Sequence, residues 1–197
     1  MLEIKNVMKE YGNKKILKGV NMSLDKGIYG LLGKNGAGKT TLFKIISGYT
    51  KKYSGSVSVG NDNSEEKSVG ILPQNFQGYG ELNVREFLKY VFKLKGLDKE
   101  QEYEIDEKIK IFSLEQHEKK LLKNLSGGQL RRVGLAQAFL GNPEVVLLDE
   151  PTAGLDPTER VKLKKYLAEV GEKCTILLST HIVSDLEYIS KKNFNIK

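Results

Sequence analysis

Eight consecutive residues, Gly33-Lys34-Asn35-Gly36-Ala37-Gly38-Lys39-Thr40, set a lysine and a hydroxyl directly behind a glycine-rich run. The spacing fits G-x-x-x-x-G-K-[ST], a loop that wraps nucleotide phosphates. Glycines let successive backbone N–H groups turn inward, because they reach backbone angles closed to other residues and carry no obstructing side chain. A helix beginning near Gly38 aims free N–H groups and about half a positive charge at the same point. Lys39 can reach the terminal phosphates, and the Thr40 hydroxyl can ligate the magnesium ion that accompanies them. The bland alternative is a glycine-rich turn with a surface lysine, and the complete motif between a strand and a helix argues against it.

Two further clusters could do chemistry. Val145 to Leu148 is a short apolar run that leads into Asp149-Glu150. Such a run suits a parallel strand buried on both faces, and ligands gather beyond the carboxyl ends of parallel strands. Asp149 there suits a magnesium shell, and Glu150 suits polarising a water for attack on a phosphate. Alone, the pair could be a charged turn. The other cluster is Leu125-Ser126-Gly127-Gly128-Gln129, in which Ser126 and Gln129 form a capping box. A cap gives no reason for two glycines in a first helical turn, each costing about 1 kcal/mol relative to alanine. Close approach of a phosphate to a bare helix tip does give one. This second anion site lies far along the chain from the first, so one protomer need not bring them together.

The elements that position these residues follow from pattern. Residues 2–7 and 16–24 read as antiparallel strands around a turn at Gly12 to Lys15, and Ile28 to Leu32 reads as the buried strand before the phosphate loop. Thr41 to Ser47 continues as a helix stopped by Gly48. Gly55 to Val59 and Val69 to Leu72 are short strands separated by a polar turn over Gly60 to Lys67, and the second is halted at Pro73-Gln74. From Val84 to Leu122 the pattern is helical: Phe87, Leu88, Val91 and Phe92 mark one helix, and Ile105, Ile109 and Phe112 another. Leu130 to Leu140 is a helix ending at Gly141-Asn142-Pro143. Asp156 and Pro157 are an N-cap and first-turn pair for the next helix. Cys174 to Leu178 is a buried strand, and Val183 to Ile189 a last short helix. The helical block interrupts an α/β chain, so one domain over 1–197 with an inserted helical lobe at about 76–140 is expected.

Composition bounds the class. The chain of 197 residues is long enough for one sizeable core or one core with a small lobe, and no stretch approaches the roughly 18 apolar residues of a membrane-spanning helix. Met1 to Lys5 enters strand-like alternation without a leader pattern. One cysteine allows no internal disulfide and fits a reducing compartment. The net charge of +7 would suit nucleic acid or an anionic surface, but the lysines are scattered, which suits a solvated surface.

Gly33 to Thr41, Leu125 to Gln129 and Val145 to Glu150, in that order, resemble the nucleotide-binding subunit of ATP-binding cassette (ABC) transporters. The likeness runs from about residue 2 to residue 190. Wording such as Tyr29-Gly30-Leu31-Leu32-Gly33 and Ala153-Gly154-Leu155-Asp156-Pro157 is similar to drug or bacteriocin exporters. The resemblance implies an α/β fold: a mostly parallel phosphate-loop NTPase sheet flanked by helices, with a small antiparallel lobe. It implies that Tyr11 stacks on adenine, and that Gly33, Lys34, Asn35, Gly36, Ala37, Gly38, Lys39, Thr40 and Thr41 hold the phosphates. Gln74 joins Thr40 and Asp149 at magnesium, Glu150 and His181 act with Lys39 in catalysis, and Asp156 belongs to a loop communicating between sites. Two domains pair head to tail, so Ser126, Gly127, Gly128 and Gln129 of one complete the ATP site of the other.

The implied function is Mg-dependent ATP hydrolysis that energises a separate transmembrane permease from the cytoplasmic face of the membrane, with no nucleic-acid partner. The alternative is a nucleic-acid- or ribosome-associated ATPase of the same superfamily. A small-molecule kinase on the same loop is a third reading, and it leaves Leu125 to Gln129 without a purpose. Two departures qualify the likeness. The stretch between Val59 and Val69 is short, and the chain stops soon after His181. The usual C-terminal strands are therefore expected to be missing or truncated, with Cys174 to Leu178 left near an edge.

Overall fold

The computed structural model describes residues 1–34, 36–60, 68–182 and 186–196. Two sheets form the core. Strands β1 (Leu2–Tyr11), β2 (Lys14–Leu24) and β4 (Ser54–Val59) make an antiparallel sheet in the order β2-β1-β4. Strands β3 (Gly27–Leu32), β5 (Val69–Leu72), β6 (Val145–Asp149), β7 (Thr175–Ser179) and β8 (Lys192–Asn195) make a wholly parallel sheet in the order β5-β6-β7-β3-β8. The expected α/β class and the separate small antiparallel sheet are both observed.

Period-two alternation decides which side of the parallel sheet each residue serves. Tyr29, Leu31, Val145, Leu147 and Leu177 point into a core shared with the antiparallel sheet and with helix α1 (Lys39–Ile46). Ile28, Val146, Leu148, Ile176 and Leu178 point into the opposite core. That second core is shared with α2 (Val84–Leu94), α3 (Tyr103–Ile111), α4 (Gly127–Ala138) and α5 (Pro157–Gly171). Both faces are covered, so the central strands carry unbroken apolar runs.

Register then gathers the chemistry at one end. Leu72 lies beside Leu148, and Asp149 lies beside Ser179, which in turn pairs with Leu31. Gln74, Glu150, His181 and Gly33 all follow these strand ends within two residues.

Several elements differ from expectation. The β1–β2 ribbon extends past the expected ends to Tyr11 and Lys14, with register shifts along the ladder. Helix α4 starts at Gly127, because Ser126 is its N-cap and Gln129 completes the capping box. Strand β7 is interior, between β6 and β3, and the edge falls to β8, whose partner is β3. The expected helix over 183–189 lies partly outside the described residues, as do Asn35 and most of the turn at 60–67.

Lys95, just past α2, closes the far end of α4. Its Nζ donates to Leu140 O at 2.7 Å and to Gln137 O at 3.3 Å, a cation at a helix C-terminus. Burial lowers its pKa to about 8, opposed by the attraction of Glu104. Between about pH 8 and the ordinary value of 10.5, the unfolded chain holds a proton here that the folded chain has released. The stability contributed by this group therefore rises with pH across that window. Cys174, raised to about 11 by burial, has the opposite slope between its usual 9.0 and that value. Comparison with Lys95→Met cancels such shared terms. Urea unfolding is expected to show wild type gaining on the variant as pH climbs from about 8 toward 10.

Candidate nucleotide site

A cavity of about 530 Å³ opens beyond the strand ends. Its floor is the loop after β3, represented by Lys34, Gly36, Ala37 and Gly38, and the start of α1, Lys39 to Thr41. Gln74, Asp149 and Glu150 form one wall, and Tyr11 from the tip of β1 stands on another. Gly38 holds φ +105° as the N-cap of α1, a conformation that a side chain would strain, and it offers no side-chain cap of its own. The first-turn amides of α1 are thus left without a side-chain cap.

Charge is arranged by sign. Lys39 is buried, and its Nζ donates to Gly33 O at 2.5 Å and to Lys34 O at 3.3 Å, which holds the ammonium over the loop. The Thr40 hydroxyl donates to Asp149 Oδ2 at 2.8 Å, and the Ser179 hydroxyl donates to Asp149 Oδ1. A hydroxyl and a carboxylate at this spacing, beside exposed Gln74, form an all-oxygen donor set. That chemistry fits magnesium, which takes one or two carboxylates with substrate phosphates and waters.

Glu150 is buried and sits at φ +53°, a left-handed conformation costing a non-glycine residue on the order of 1–3 kcal/mol. Its amide donates to Ser179 O at 3.0 Å, and its carbonyl accepts from Ala153 N at 3.1 Å. The carboxylate faces exposed His181, whose Nδ1 lies 2.9 Å away. The structure therefore brings together Tyr11, the phosphate loop, Gln74, Asp149, Glu150 and His181.

Ser126, Gly127, Gly128 and Gln129 do not line this cavity. Gln129 N donates to Ser126 Oγ at 3.3 Å, and Ser126 N donates back to Gln129 Oε1 at 3.0 Å. Gln129 Nε2 also lies 3.2 Å from His117 Nε2, tying the tip to the 3-10 turn at Glu115–His117. Asp156 caps α5 by accepting from Glu159 N at 2.9 Å, as the N-cap expectation required.

Sequence reasoning missed four contributors. Lys14 and Ile16 line the cavity because β2 begins opposite Tyr11, and only strand register shows that. Ser179 closes β7 and enters the site only because the fold sets its hydroxyl against Asp149. Arg131 follows the Ser126 to Gln129 cluster by two residues, and its guanidinium is buried against the backbone of both Gln74 and Glu150.

These features define a phosphate-loop nucleotide site at the switch of a parallel sheet. A family model described as ABC transporter matches residues 17–153. The chain is 39% identical, over 97% of its own length, to human ATP-binding cassette sub-family A member 9, but covers only 13% of that protein. It is 33% identical, over 96% of its length, to the lantibiotic transport ATP-binding protein SrtF of Streptococcus pyogenes, and covers 84% of it. Among solved structures, a dimeric bacterial ABC transporter cassette superposes with a TM-score of 0.87 at 26% identity. That superposition covers 99% of this chain and 94% of the other. The chain belongs to the ABC transporter family, in its ATP-binding component.

The two glycines of the α4 tip separate experimentally. A Cβ on Gly128 would lie 2.6 Å from the carbonyl oxygen of Gly154, whereas one on Gly127 would meet nothing within 4 Å. Gly128→Ala is expected to lower stability by about 1–3 kcal/mol in urea unfolding. Gly127→Ala is expected to leave it unchanged or slightly raised, since alanine is the better helix former.

Proposed function

We propose that this chain binds and hydrolyses ATP with magnesium and thereby energises a separate transmembrane permease, acting from the cytoplasmic face as one of a pair of ATP-binding domains. The observation that carries the reading is the shared cavity: Lys39 and the loop amides on one side, Asp149 and Glu150 on the other. Among the described residues no helix is long and apolar enough to cross a membrane. The family membership and the likeness to SrtF, a lantibiotic transport ATP-binding protein, support a transport role.

The roles follow from position. Tyr11, half exposed at the end of β1, offers its ring to adenine. Gly33 through Thr41 cradle the phosphates, and Lys39 offsets charge that builds on the transferred phosphoryl group. Thr40 and Asp149 would hold magnesium, with Gln74 beside them. Bound there, magnesium neutralises charge shared between the terminal phosphates. Glu150 accepts a proton from the attacking water, and His181, held to its carboxylate, keeps that carboxylate aimed.

The tip of α4 lies outside this cavity, which supports head-to-tail pairing. Ser126 to Gln129 of one copy would then meet the nucleotide held by the other, and Asp156, close behind that tip, would link the two sites. ATP stabilises such a dimer because it binds the paired state preferentially, and hydrolysis releases it. The dimeric cassette among the solved relatives supports this arrangement.

Glu150→Gln tests the reading. Removing the carboxylate is expected to slow turnover by about 100- to 1,000-fold while nucleotide affinity persists. The variant is expected to accumulate as an ATP-bound dimer in size-exclusion chromatography. Steady-state hydrolysis near the wild-type rate would show that Glu150 is not the base.

A further inference from the structure

Arg131 lies in the second turn of α4, yet its side chain runs inward and the residue is only 5% exposed. Each terminal nitrogen forks onto two consecutive carbonyls. Nη1 donates to Pro73 O and Gln74 O, both at 2.9 Å. Nη2 donates to Asp149 O and to Glu150 O, the latter at 2.6 Å. All four acceptors are backbone atoms at or just beyond the ends of β5 and β6. Among the described residues, no carboxylate pairs directly with this guanidinium, and its Nε is buried without a partner. Burial pulls its pKa down, while the nearby charges of Asp149 and Glu150 hold it up.

This is an awkward way to stabilise a fold. Buried charge is costly, and apolar residues of similar volume often serve stability equally well. The planar fork does something an apolar side chain cannot: it fixes the spacing between two neighbouring strand ends. One of its acceptors belongs to Glu150, whose backbone is already held left-handed at φ +53°. A donor on that carbonyl fixes the following peptide and thus the direction in which the carboxylate leaves the chain. The bond to Gln74 O does the same beside the metal-binding residues. Helix α4 is further pinned along β5 by Gln137 Nε2, which donates to Ile71 O at 2.7 Å.

We infer that Arg131 is a positioning residue that holds Gln74 and Glu150 in one register and passes any tilt of α4 to both. The inference rests on the hydrolytic function proposed above. Helix α4 begins at Ser126-Gly127-Gly128, so the tip offered to a second copy and the residues acting on the chain's own nucleotide share one rigid connection. Engagement of the tip would then be felt at Glu150 through a single side chain.

Arg131→Lys keeps the charge but replaces the fork with one compact ammonium that cannot span four carbonyls. The measurements are thermal unfolding, nucleotide affinity by titration of a fluorescent ATP analogue, and kcat with KM for ATP hydrolysis. Arg131→Lys is expected to fold and to keep nucleotide affinity and KM within about threefold, while kcat falls about 10- to 100-fold from misplacement of the reacting groups. For Arg131→Ala, millimolar ethylguanidinium is expected to restore part of kcat without shifting the melting temperature. Wild-type kcat in Arg131→Lys overturns the inference. So do equal losses of affinity and kcat, or recovery of kcat only where the melting temperature also recovers. Normal turnover by the unaltered chain beside an unaffected Arg131→Lys removes this inference alone; a nucleotide-bound but inactive unaltered chain removes the functional reading with it.

Discussion

The structure depends on satisfying one buried carboxylate. Asp149 closes β6 with almost no exposure, and a carboxylate buried there needs hydrogen-bond donors. It finds Thr40 at the start of α1 and Ser179 at the end of β7. Those two bonds tie the phosphate loop to the sheet's central strands from both sides. They also fix register, because a one-residue slip of β6 would turn Asp149 into the opposite core and bring an apolar neighbour to the site. The apolar runs of β6 and β7 tolerate either facing, so they cannot set the register by themselves. The polar residues at their ends do.

From that anchor the two cores take separate tasks. The core under α1 and the antiparallel sheet backs the phosphate loop, with Ala37 packed against it, and carries β1, which ends in Tyr11. The core under α2 to α5 carries α4, whose far end is closed by Lys95 and whose near end is an exposed, glycine-rich tip. The sheet itself is the wall between them, and Gln74, Glu150 and His181 stand on its rim. A motion of the helical layer relative to the loop can therefore reach the site along the chain segments that follow β5 and β6, and through side chains that cross the rim. Arg131 is such a side chain, donating to four carbonyls there.

How much was legible in the sequence follows from how local each constraint is. The phosphate loop, the Ser126 cap and the Asp149-Glu150 strand end declare themselves because backbone geometry restricts residue type over a few consecutive positions. Central strands were legible because burial on both faces leaves an unbroken apolar run. Strand β8 was not, since Lys192, Asn193 and Asn195 are exposed on an edge and carry no alternation. Arg131 and Ser179 escaped for another reason. Their partners are separated from them by tens of residues, and an arginine in a basic helix reads as solvated until the fold turns it inward. The left-handed Glu150 was equally invisible, because nothing in residue type marks a glutamate for positive φ.

The paired glycines of the α4 tip show how packing and recognition can be told apart within one motif. Two glycines in a first turn invited a single explanation, an external phosphate approaching the backbone. The structure divides them. Gly128 is required within the chain, because the carbonyl of Gly154 occupies the space a side chain would need. The tip of α4 therefore rests on the loop that runs on to Asp156, and the two are expected to move as one body. Gly127 faces open space, so no contact within the described chain accounts for it. Only there does the free-energy cost of a helical glycine call for a ligand from outside, which confines the recognition argument to one residue and the exposed cap beside it.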